Sequence, residues 1–159
     1  AYNFHAPALA LRNFLWETFA SHYLELVKGR AYNQEKEYSA SEQASALWTL
    51  RAVVEKMLLC WAPINPMITS LLYTELCERD IHAERFPETE KEQKISFTRQ
   101  DVFDVNGLVW KAKKEKQLSL KADVAMLVLP DTLKDAEKDF AATHHAKNVE
   151  YGKTADVTV

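Results

Sequence analysis

Glycine is scarce in this chain: only Gly29, Gly107 and Gly152 occur in 159 residues. No glycine-rich run therefore exists that could wrap backbone N–H groups around a nucleotide phosphate. Cysteine is scarcer. Cys60 and Cys77 stand outside any Cys-x-x-Cys pair, so reduced thiols are expected rather than a disulfide framework or a zinc site. No apolar stretch is long enough to span a bilayer. The start has no basic region leading into an apolar one, so no secretory signal is read. A membrane partner is not expected, and a cytoplasmic location is. The first residue is Ala1 rather than Met, which raises the expectation of a processed or excised piece. Positive charge is not in excess either. A formal net charge of −3 argues against a free-standing general nucleic-acid binder, so any such contact must come from a local basic face.

What is present is ordinary globular material, 47% hydrophobic and 27% charged, enough for one domain or a domain with a small appendage around a modest core. The chain is organised around Leu11–Tyr32. At 3.6 residues per turn, Leu11, Leu15, Trp16, Phe19, Tyr23, Leu26 and Val27 form a wide apolar arc. Arg12 and Arg30 fall inside that arc. A cation on an apolar stripe must snorkel, meet a carboxylate or reach an anion such as a phosphate. This first helix is expected from about Pro7 to Lys28, stopping near Gly29.

Ser39 with Glu42 three residues on is a capping-box pattern. It precedes a second helix from about Ser41 to Trp61, with Leu47, Leu50, Val53, Val54, Met57, Leu58 and Trp61 inward and an Arg51–Glu55 pair outward. Pro63 ends it. Asn65 is expected to cap a third helix, opened by Pro66 and running to about Glu78. Residues 88–100, rich in Glu88, Glu90, Lys91, Glu92 and Lys94, lack apolar periodicity and read as a linker. Asp101–Lys116 follows as an amphipathic helix striped by Val102, Val105, Val109 and Ala112, with Trp110 beside the stripe. Its basic end, Lys111, Lys113, Lys114 and Lys116, also suits a helix C-terminus. Val124–Leu129 reads as a buried strand, Thr132–Ala142 as a helix, and Val149–Tyr151 and Val157–Val159 as strands. The expectation is a mainly α chain: an antiparallel helical bundle over 1–87, a linker over 88–100, and a small α/β subdomain over 101–159.

Phe14-x-Trp16-x-x-Phe19, followed by Tyr23-x-Glu25-x-x-Lys28-x-Arg30-x-Tyr32, resembles the anticodon-binding helical domain of class I aminoacyl-tRNA synthetases, most nearly the valine enzymes. The corner Ala62-Pro63-Ile64-Asn65-Pro66 is similar to the Ala-Pro-x-x-Pro corner of that family. Lys111–Val128 resembles the tail of its archaeal-type members, and no sustained heptads of the bacterial coiled-coil tail appear. There are departures: His22 stands where an aromatic such as Trp is expected, Met67-Ile68-Thr69-Ser70 replaces Phe-x-x-Glu, and Arg85-Phe86-Pro87-Glu88 lies where Trp-Pro is common. The resemblance implies recognition of the anticodon arm of a valine tRNA. It implies contacts from Arg12, Trp16, His22, Lys28, Arg30 and Arg51, with Lys111, Lys113 and Lys114 bracing the stem.

The class I catalytic signatures His-x-Gly-His and Lys-Met-Ser-Lys-Ser are missing, as is the family's opening helix. ATP would then belong to a catalytic domain outside this chain, as would editing, and no chemistry or cofactor is expected here. An apolar patch is expected to lie exposed on the first or second helix, covered by a second copy or by another domain. His144-His145 are adjacent, so their side chains point about 100° apart on a helix and make no two-ligand metal face. The competing reading is a structural module that docks onto the catalytic body or a second subunit without touching RNA.

Overall fold

The structure is a computed structural model that describes residues 3–89 and 95–159. Glu90, Lys91, Glu92 and Lys94 of the expected linker lie outside the described residues. The chain is mainly helical: α1 is His5–Asn13, a π-helical run covers Phe14–Leu24, and α2 is Glu25–Tyr32. Further on come α3 (Ala40–Trp61), α4 (Pro66–Cys77), α5 (Arg99–Glu115) and α6 (Glu137–His144). Three short strands, β1 (Met126–Pro130), β2 (Val149–Gly152) and β3 (Asp156–Thr158), complete it. Contacts divide the chain into two compact units, Ala1–Ser21 with Tyr38–Glu92, and His22–Glu37 with Gln93–Val159. Chain order alone had grouped 1–87 together. His22–Glu37 instead joins the second unit because Leu26 belongs to that unit's core.

In the first unit, the π-helical run rewrites the expected arc. Bonding five residues ahead turns the chain less per residue than an α-helix does, so a face counted at 3.6 drifts. Phe19 stays buried, but Trp16 is 65% exposed and Leu15 38%. The Ser21 hydroxyl donates to the carbonyl of Trp16, five residues back, at 2.8 Å. The capping box forms as expected: the Glu42 N–H donates to Ser39 Oγ, and the Ser39 N–H to Glu42 Oε2. Asn65 occupies the position before Pro66 but makes no side-chain cap. Its carbonyl instead accepts from the N–H and hydroxyl of Thr69. The expected Arg51–Glu55 pair does not form. Arg51 Nη2 donates to the carbonyl of Leu76 at 2.9 Å, serving one of the open carbonyls at the end of α4. Glu55 turns to Arg79, which also binds Glu84 and the Tyr73 hydroxyl. Burial of Tyr73 pushes its phenol up to about 12, with Arg79 opposing the shift.

Much of this unit's apolar surface stays open. Trp48 is 71% exposed, Met67 87% and Leu71 59%. A groove of about 380 Å³ is lined by Leu15, Phe19, Val54, Met57, Trp61 and Ile68, among others. Leu47 and Val54, read as inward from the sequence, are on the exposed side.

The second unit has a closed core. Leu26, Val102, Val105, Val109, Val124, Leu127, Leu129, Leu133 and Phe140 form one buried cluster. The valine stripe of α5 faces inward as read, and the helix starts with a Thr98–Asp101 capping box. The sheet order is β2-β1-β3, with β1 parallel to β2 (Leu127 opposite Val149) and antiparallel to β3 (Leu127 opposite Val157). The 3-10 segment Asp131–Ala136 and then α6 connect β1 to β2, where one helix over 132–142 was expected. A parallel pair needs such a crossover. α2 lies on α6, and the Thr143 hydroxyl donates to the carbonyls of Glu25 and Leu26. α2 continues past Gly29 and ends where Asn33 turns left-handed (φ 46°), a conformation asparagine tolerates with little strain.

Candidate nucleic-acid interface

Of the residues read as RNA contacts, three stand in the first unit. Arg12 is exposed on α1, and Trp16 is exposed on the π-helical run. Arg51 is exposed, but its guanidinium is engaged with α4 as described.

Six stand in the second unit. Lys28 is exposed and ion-paired with Glu25 one turn earlier, a weak surface pair. Arg30 is half-buried, with Nη2 3.1 Å from Asp139 Oδ2. That resolves its awkward place on an apolar arc: it meets a carboxylate. Lys111 and Lys114 are exposed near the end of α5, Lys111 being 3.9 Å from Glu115.

Lys113 is a correction. It is fully buried, and its ammonium donates to the carbonyls of Leu120 at 2.8 Å and His144 at 3.1 Å. It cannot lie on a phosphate without leaving those carbonyls, so it ties α5 to the chain around it. Burial pulls its pKa down, and Asp123 pulls it partly back.

His22 is half-buried and held on three sides. Its ring stacks on Phe103, centroids 3.9 Å apart and 18° between planes. Trp110 lies 5.2 Å away at 35°. His22 Nδ1 is 3.0 Å from Asn106 Nδ2, so the amide donates and the imidazole accepts. Asn106 is buried, and its Oδ1 accepts from His144 Nε2 at 2.8 Å. As the acceptor, His22 Nδ1 carries no proton in this arrangement, while His144 donates from Nε2. Burial, reinforced by the Lys113 and His145 charges, lowers the pKa of His144 to about 4. The departure at His22 thus has a reason. An imidazole keeps the flat stacking face and adds an acceptor that Trp lacks.

The sequence reading missed Asn106, Phe103 and His144 as members of one site. Their signal was present: Arg99, Phe103, Asn106 and Trp110 are spaced 4, 3 and 4, which is one face of a helix. Arg99 extends the row, its guanidinium 5.7 Å from the Phe103 ring centroid. Among the described residues, no group of three or more His, Cys, Asp or Glu side chains could hold a metal ion. No helix among them is long and apolar enough to cross a membrane.

The family described as the anticodon-binding domain of tRNA ligase matches residues 1–128. The chain is similar to the valine–tRNA ligase of Pyrobaculum aerophilum, 35% identical over 160 residues that cover 98% of this chain and 20% of that protein. It is 30% identical to the valine–tRNA ligase of Aeropyrum pernix over 148 residues, covering 89% of this chain and 18% of that protein. It is 34% identical to that of Anaplasma marginale over 119 residues, covering 73% and 14%. The chain spans a fifth or less of the length of these relatives. With a match over most of its length, the chain belongs to the family of anticodon-binding domains of tRNA ligases.

Proposed function

We propose that this chain grips the anticodon arm of a valine tRNA on behalf of a valine–tRNA ligase. The observation that carries the reading is the family match over residues 1–128 together with relatives that are valine–tRNA ligases. In this reading the chain positions RNA and does no chemistry. ATP and the amino acid are handled by the remaining parts of a cytoplasmic parent enzyme, which also supply editing. Positioning is a task for cations on phosphates and flat groups on unstacked bases. Arg12, Lys28, Lys111 and Lys114 have their charges at the surface, and Trp16 offers an exposed ring. The open apolar surface of α3 and α4 is the second half of the reading. It suits docking against the rest of the ligase, since four-fifths or more of each relative lies outside the matched region.

A nuclease footprint of the chain on valine and isoleucine tRNAs tests this. Protection limited to the anticodon arm of the valine tRNA is expected, with affinity falling as salt rises. No binding at low salt, with stable self-association instead, would replace the reading by that of a docking module.

A further inference from the structure

We infer that Trp110 is a stacking platform for one unpaired nucleobase of the bound tRNA, with Lys111 and Lys114 holding the adjoining phosphates. The inference rests on the anticodon-arm reading above and goes beyond it by naming the contact.

Along α5 the Arg99 guanidinium lies over the Phe103 ring, the His22 ring stacks on Phe103, and the half-buried Trp110 indole stands beyond His22, tilted by 35°. Phe103 and Trp110 are seven residues apart, about 10 Å along the helix axis. His22 lies between them, stacked on Phe103 and tilted against Trp110, its edge bound by Asn106. Asn106 is fixed in turn by His144. An indole backed in this way loses little freedom when a further ring is laid on it, so stacking on it costs less ordering. Every nucleobase has a π-face, and stacking on an aromatic side chain is tolerant of sequence.

The two ends of the column differ in charge. Near Arg99 stand Asp101 and Asp104, both on α5. Asp101 is engaged with Thr98, and Asp104 accepts from Gln100. They oppose an RNA backbone there. At the other end Lys111 is 75% exposed, with the Glu115 carboxylate beside it at 3.9 Å, and Lys114, one turn beyond Trp110, is exposed as well. The RNA therefore meets the tryptophan end. His22 is a positioning residue: it fixes the indole and does not itself touch RNA.

The test uses this 159-residue chain with transcribed valine tRNA and a salt series. Trp110→Leu keeps the apolar bulk but removes the π-face, and should weaken binding roughly fivefold to a hundredfold. Trp110→Phe should restore most of it. Trp110→Leu should leave the slope of log K against log salt unchanged, because stacking releases no counterions. Lys114→Ala should make the slope shallower by about one. Arg99→Ala, at the acidic end, should bind like the parent chain. Wild-type affinity in Trp110→Leu, or equal losses in Trp110→Leu and Trp110→Phe, overturns the platform while leaving tRNA binding intact. A parent chain that binds no tRNA overturns the anticodon reading and the platform with it.

Discussion

The two units bury their apolar residues differently. In the second, nine apolar side chains close into one cluster around a three-stranded sheet. In the first, α3 is 22 residues long and contributes only Ala46 to the buried set, while Trp48, Met67 and Leu71 face outward. A sheet with helices laid on it can finish its own core. Amphipathic helices with apolar groups left outside are finished by something else. The lesson is that hydrophobic content by itself does not close a core: one unit is self-sufficient and the other is open. The difference lies in whether the apolar faces find each other.

Core truncation should separate the units most. Leu127→Ala, at the centre of the second unit, should cost about 2–5 kcal/mol. Leu71→Ala, on the open face of the first, should stay within about 0.5 kcal/mol. Urea unfolding measures both, and equal costs would erase the contrast.

Acid should act next, and on the second unit. The folded state keeps His144 neutral down to about pH 4, whereas the unfolded chain takes up its proton near pH 6.5. Stability is therefore undiminished above pH 6.5, falls as pH drops toward 4, and levels off below. The total loss is about 3 kcal/mol. Urea midpoints at pH 7, 5.5 and 4 should follow that course when read from the resolved NMR signal of the Trp110 indole N–H, with a smaller drop in His144→Gln. A drop of the same size in that variant would show that carboxylates, not His144, set the response.

Lys113→Met should cost about 1–3 kcal/mol by leaving the Leu120 and His144 carbonyls without a donor. It should not change the salt slope of tRNA binding, which Lys111→Ala should make shallower. A shallower slope in Lys113→Met would put this ammonium back on the RNA. The smallest effect is in the first unit: Ser39→Ala removes the capping box of α3 and should cost about 1 kcal/mol in thermal or urea melts.

Much of this was legible in the residues. Ser39 with Glu42 announced the start of α3, and Val102, Val105 and Val109 announced the inward face of α5. The apolar run before Pro130 announced β1. Each is a local signal within one or two turns. What was not legible depended on the backbone path and on which groups it brought together in space. The basic end of α5 reads as four equivalent lysines, yet Lys113 is internal because the carbonyls of Leu120 and His144 come around it. Trp16 reads as core at 3.6 residues per turn, but the π-helical run turns it out. Arg51 has Glu55 at ideal spacing, but the open end of α4 offers it a carbonyl and Arg79 takes the glutamate.

By itself the sequence determined the helices, the strands and the family, because caps, periodicity and motif spacing are properties of neighbouring residues. Only the tertiary structure decided which cations remain at the surface and which are absorbed inside. It alone assembled His22, Asn106 and His144 into one hydrogen-bonded line. A charge or a ring is assigned its task by what desolvates it and what bonds to it, as when His144 meets Lys113 from 31 residues away and Asn106 meets His22 from 84.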